Sequence, residues 1–135
     1  MTNVRAMLDT FPQGIGGLDR DRLVECIDAC FDCAQACASC ADACLAEDMV
    51  SDLRACIRTN TDCADICTTT GRVLSRASGY DVAVVRALLE ACRLACASCG
   101  SECSGHADMH DHCRVCAEAC RRCEQACAAL LDSLR

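Results

Sequence analysis

The chain of 135 residues is one domain's length, and 18 of those residues are cysteine against three aromatics, Phe11, Phe31 and Tyr80. The hydrophobic fraction of 53% consists largely of Ala and Cys, which excludes an ordinary Leu/Ile/Phe core over most of the chain. A net charge of −7, with 13 arginines and no lysine, excludes a nucleic-acid partner, which needs clustered cations, and any lysine-based chemistry.

Residues 1–18 read as an N-terminal arm, with a short helix expected around Met7, Leu8 and Phe11 before the breakers Pro12, Gly14, Gly16 and Gly17. Asp9, Thr10 and Pro12 interrupt the apolar run that a secretory signal requires. The longest apolar run anywhere is the six residues Ala126–Leu131, too short to span a membrane. A cytoplasmic protein with reduced thiols is therefore expected, and the density of those thiols is what a function must explain.

Residues 19–135 read as a bundle of four helices. The first, about 19–46, has Asp19 as its N-cap and carries Cys26, Cys30, Cys33, Cys37, Cys40 and Cys44. The second, about 49–78, carries Cys56, Cys63 and Cys67 and is expected to end at Gly79. The third, about 81–104, is capped by Asp81, carries Cys92, Cys96, Cys99 and Cys103, and ends at Gly105. The fourth, about 108–134, with Asp108 as a candidate cap, carries Cys113, Cys116, Cys120, Cys123 and Cys127. Within these groups the cysteines step by threes and fours apart from one step of seven, the period of an inward helical seam and not of a strand. Cys30–Cys44 and Cys113–Cys127 coincide at every cysteine and at three alanines. Short connections predict an antiparallel up-down all-α bundle with a Cys-lined core roughly 27 Å long, at ~1.5 Å per residue.

The same 3/4 rule places Leu23, Leu74, Val85, Leu89, Leu130 and Leu134 together at one end, a dry plug. It gathers Cys44, Met49, His106, Met109, His110, His112 and Cys113 at the other, which is expected to be soft, polar and open. His106 falls on the projected seam and ranks first among the non-thiol ligand candidates, with His110 next and His112 last. Asn60, also on the seam, reads as a buried hydrogen-bonding residue.

Disulfides suit neither the compartment nor the spacing, since Cβ atoms one turn apart on a helix lie beyond disulfide reach. Simple packing would not call for so many oxidisable side chains. Metal binding remains. Zinc and iron–sulfur sites draw thiolates from knuckles and loops, whereas these CxxC pairs lie within continuous helices. Soft thiolates favour Cu(I), which accepts two or three ligands, so neighbouring seam thiols can hold ions with sulfurs bridging between them. Charge agrees: exchanging one thiol proton for one Cu(I) leaves the core neutral, empty or full. Zinc or another soft metal, in a thiolate buffer, is the alternative metal reading. A thiol redox protein would need a few exposed, low-pKa thiols. No Ser/His/Asp set, phosphate loop or Glu-x-x-His pair suggests an enzyme.

These repeated CxxCxxxC seams, from Cys26 to Cys127, resemble the cysteine-rich four-helix-bundle copper storage proteins, and the His-bearing end resembles their cytosolic branch. The resemblance implies many Cu(I) ions in the core, on the order of one per thiolate, with uptake through the His-containing mouth and assembly as a homotetramer. It leaves any copper donor or acceptor protein unspecified. Asn60 and Thr70 stand where the second helix's seam has room for further thiols.

Overall fold

The computed structural model describes residues 2–134. Its helices are α1 (Val4–Asp9), α2 (Arg20–Leu45), α3 (Arg54–Leu74), α4 (Val82–Ser104) and α5 (Asp111–Ser133), with a 3-10 turn at Val50–Leu53 leading into α3. There is no strand among the described residues. Helices α2 to α5 pack in a closed ring, each against its two neighbours, and α1 lies outside on α2. Short connections and a seam repeating about every 3.5 residues make this the least strained way to bury one stripe from each helix.

The helix starts follow local chemistry. Asp19 accepts a hydrogen bond from the Arg22 amide at 2.9 Å, and Asp81 accepts from the amides of Ala83 and Val84 at 3.1 and 3.3 Å. Three boundaries depart from the sequence reading. The second helix begins at Arg54, after the 3-10 turn Val50–Leu53, rather than near residue 49. Helix α3 stops at Leu74 rather than running to Gly79, and the Tyr80 hydroxyl donates to the freed Leu74 carbonyl at 2.6 Å. Asp108 caps nothing: the chain turns through residues 105–109, and the N-cap of α5 is His110, without a side-chain cap bond.

Arg20 reaches Asp9 at 2.7 Å and Arg5 reaches Asp21 at 3.0 Å, tying the arm to the start of α2 while Leu8 is buried beneath it. Gly16 and Gly17 take positive φ angles of 49° and 22° in the intervening loop, where a side chain would be strained. Gly71 has a different reason: a Cβ there would lie 2.8 Å from Cζ of Phe31, so the ring would have to shift to admit a side chain.

The core has two parts. Leu23, Leu74, Leu89, Leu130 and Val85 are buried together at one end, with Leu134 partly buried against them. All 18 cysteines line the remainder, with Ile27, Leu53, Asn60 and Thr70 buried beside them.

Candidate metal centre

Every cysteine is at most 1% exposed and every one is a free thiol. Sγ atoms from facing helices approach to 3.6 Å for Cys37 and Cys120 and for Cys67 and Cys96, and to 3.8 Å for Cys26 and Cys127. These separations are far beyond a disulfide bond of about 2.05 Å. They match two thiolates holding one ion, since metal–sulfur bonds of about 2.3 Å set sulfurs about 4 Å apart in trigonal geometry.

Groups of four thiols have all their sulfurs within 4.8 Å of one another. Cys40, Cys44, Cys56 and Cys113 form the group at the histidine end. Below it come Cys37, Cys99, Cys116 and Cys120, then Cys33, Cys37, Cys63 and Cys120, then Cys33, Cys63, Cys67 and Cys96. Cys30, Cys92, Cys123 and Cys127 lie nearest the plug. Successive inner groups share sulfurs, Cys37 with Cys120 and then Cys33 with Cys63. A row of closed, independent four-thiolate cages would not share ligands in this way. Shared sulfurs suit ions that accept two or three ligands each.

The histidine end is covered, not open. His112 Nε2 lies 2.9 Å from Glu47 Oε2, and its Nδ1 faces Cys40 Sγ at 3.3 Å and Cys113 Sγ at 3.6 Å. Burial works against the charged ring, but its bonds to Cys40 and Glu47 outweigh that and raise the His112 imidazole above its ordinary value. His110 Nδ1 donates to the same Glu47 oxygen at 2.6 Å, and the two imidazoles stack with centroids 5.4 Å apart. His110 is buried, and its Nε2 has no hydrogen-bond partner.

His106 stands differently. It leaves the seam after Gly105, lies in the turn, and pairs with Glu102 at 3.3 Å. Met109 is 65% exposed and Met49 38%, both outside the thiol cluster. The structure thus brings His112 onto the thiols, sets His110 beside it, and holds His106, Met109 and Met49 at the rim. Glu47, which organises both inner histidines, had no motif to announce it. The available signal was its place directly after α2, opposite the start of α5.

Charge in this end follows from burial and pairing. Burial pushes the Cys44 and Cys113 thiols up from the ordinary range. The bond from Cys103 favours ionisation of Cys56, but neighbouring Cys40 and burial outweigh it and push that thiol up to about 12. Bonds from Cys103, Cys116, Cys56 and His112 hold Cys40 well below the usual thiol range. The hydrogen bond from His112 is the main reason the Glu47 carboxyl is held below the usual carboxylate value.

Asn60 is fully buried on α3 among the thiols. Thr70, equally buried, returns its hydroxyl to the Ile66 carbonyl at 2.8 Å and offers nothing to the core. No helix among the described residues is long and apolar enough to cross a membrane.

The copper storage protein family model matches residues 19–132. An uncharacterized cysteine-rich protein of Bacillus subtilis (strain 168), YhjQ, is 37% identical over 105 residues, which is 78% of this chain and 92% of that one. The copper storage protein Ccsp from Streptomyces lividans, solved when loaded with 10 copper equivalents, is 60% identical with a TM-score of 0.95, over 97% of this chain and 99% of its own. A structure of a cytosolic copper storage protein from Streptomyces lividans with five coppers is 62% identical with a TM-score of 0.84, over 87% of this chain and 98% of that one.

Proposed function

The chain belongs to the copper storage protein family, and we propose that its bundle stores Cu(I) on the 18 core thiols, filling from the histidine end. The observation that carries this reading is the run of buried four-thiol groups that share sulfurs along the tube. Each arriving ion replaces a thiol proton, so a fully loaded core of 18 thiolates and as many Cu(I) ions remains neutral and keeps its apolar burial. Divalent zinc would reach neutrality at half that number and would demand four sulfurs per ion throughout.

At the mouth, His112 Nδ1 and the Cys40 and Cys113 sulfurs form the first landing site, with the unpartnered Nε2 of His110 beside it. Once it has given up its proton, the imidazole offers an incoming ion a ligand that adds no charge, which suits handover to deeper thiolates. His106, Met109 and Met49 act at the rim, as passing contacts. The leucine plug closes the opposite end. The compartment is the cytosol, as in the Streptomyces relative. The assembled form is a homotetramer, for which exposed Val82, Val84 and Leu94 of α4 and Val115 of α5 offer apolar outer surface.

Anaerobic titration of the reduced protein with Cu(I) against a competing chelator tests the reading. On the order of 18 ions should bind per chain if sulfurs bridge neighbouring ions, and zinc in a parallel titration should stop well short of that number. Saturation at one or two Cu(I) would mean a carrier or sensor and would end the storage reading.

A further inference from the structure

The two histidines over the thiols each have two faces, and the storage scheme uses only the inner ones. His112 turns Nδ1 toward Cys40 and Cys113 at 3.3 and 3.6 Å, above the mouth group of Cys40, Cys44, Cys56 and Cys113. Its other nitrogen, Nε2, lies 2.9 Å from Glu47 Oε2, and Nδ1 of His110 lies 2.6 Å from that same oxygen. Two imidazole nitrogens and a carboxylate oxygen therefore converge on the outer side of the rings, harder donors than the sulfurs beneath.

His110 supplies a second observation. Its side chain is only 7% exposed, and its Nε2 has no hydrogen-bond partner. An unfilled buried nitrogen calls for a reason. The ring forgoes a bond at Nε2 while its Nδ1 is kept on Glu47, beside His112.

Two imidazoles and a carboxylate, with a fourth position left to solvent, are the donor set of a three-ligand zinc site. Soft Cu(I) prefers the sulfurs below, so the two faces of the rings sort the two metals. Zinc–ligand bonds of about 2.0–2.2 Å set tetrahedral ligand atoms about 3.4 Å apart, so these donors need to spread by less than about 1 Å. Glu47 is 30% exposed on the turn after α2 and is placed to give that movement, while His112, 26% exposed, leaves a solvent side for the fourth ligand. The negative end of α2 beside Glu47 offsets the positive end of α5 that carries the histidines.

We propose that Glu47, His110 and His112 form a zinc site capping the thiol tube, and that a divalent ion held there shuts the mouth to Cu(I) in both directions. The ion takes the place of the protons that the two rings share with the carboxylate; no sulfur is bound and no oxidation state changes. Fixed to one ion, the rings cannot swing away from the first four sulfurs. The site stands on its own donors, and its effect on copper movement rests on the Cu(I) storage reading.

The test starts from wild-type protein loaded with Cu(I), whose sulfurs are occupied, and adds Co²⁺ anaerobically as a coloured stand-in for zinc. About one Co²⁺ should bind per chain, with the visible d–d bands of a nitrogen–oxygen site and no sulfur-to-cobalt charge-transfer band. Zn²⁺ should then displace it and bleach the colour. Copper release to a Cu(I)-selective chelator, followed in stopped flow, should be several-fold slower with Zn²⁺ present than without. Glu47→Gln should weaken cobalt binding by more than about tenfold, since even a carboxylate that only supports a ligand is worth that much, and should abolish the zinc effect on release. The wild-type cobalt spectrum does not depend on the variant folding. Cobalt that fails to bind, that binds with a thiolate charge-transfer band, or that binds the variant equally well overturns the site. Release equally fast with and without Zn²⁺ overturns the closure. A wild-type protein that takes up only one or two Cu(I) overturns the storage reading, a separate result.

Discussion

Truncating the plug separates the role of the leucine end from that of the thiols. Leu89 is fully buried among Leu23, Leu74, Leu130 and Val85, one turn before Cys92 on the same face of α4. Leu89→Ala removes buried methylene and methyl groups and leaves a space the surrounding ring of helices closes only in part. Such changes cost about 3 kcal/mol, toward the lower end of the measured range for buried leucines. At about 4 °C per kcal/mol for a chain of this size, the melting temperature of the metal-free, reduced protein should fall by about 12 °C. Circular dichroism under anaerobic conditions measures that fall. With entry at the far end, as proposed, the same variant should take up Cu(I) at a rate within about twofold of wild type, and to the same final stoichiometry. A rate several times faster would show that the plug end is a second path for copper and would refute the one-ended tube. A melting temperature within about 3 °C of wild type would refute the close packing of Leu89.

The mouth yields two further expectations. Glu47→Ala frees His112 and removes the anchor of His110, so the mouth phase of uptake should slow by about tenfold, the lower end of what loss of such a supporting carboxylate brings; an unchanged rate in stopped flow would show that the histidines orient themselves. Because burial holds Cys44 and Cys113 protonated, filling of the mouth group beyond its first ion should accelerate with rising pH, approaching about tenfold per unit between roughly pH 6 and 8. The sign follows from raised thiol pKa values, since the reactive thiolate fraction grows as pH climbs toward them, and a flat profile would mean that those thiols are already ionised.

The bundle and its thiol lining were legible because one rule covers both: a helix that buries a stripe must repeat it every three or four residues, and cysteine marks that stripe without ambiguity. The plug residues followed from extending the same rule along continuous helices. The rule failed where the helix did. His106 was projected onto the seam of α4, yet the chain leaves the helix at Gly105, and the side chain turns to Glu102 instead. His112 ranked last by sequence because it falls one position before Cys113, off the seam. It reaches the thiols because a residue in the first turn of α5 leans back toward the N-terminal end of its helix, over the mouth. The shortening of α3 depended on a hydroxyl-to-carbonyl bond from Tyr80 that no local pattern encodes. Glu47 was out of reach for the same reason: its partners lie some sixty residues away in sequence.

Complete burial of the thiols has a consequence for whatever meets this protein from outside. Swapping a proton for a monovalent ion leaves the charge of each protonated thiol unchanged, and no cysteine is more than 1% exposed to display the difference. The outer electrostatic field is therefore the same for an empty and a full bundle, and long-range steering treats them alike. A partner that must give copper to the empty form and take it from the full one can gain that information only by touch, at the few square ångströms where Glu47, His110 and His112 cover the first four sulfurs.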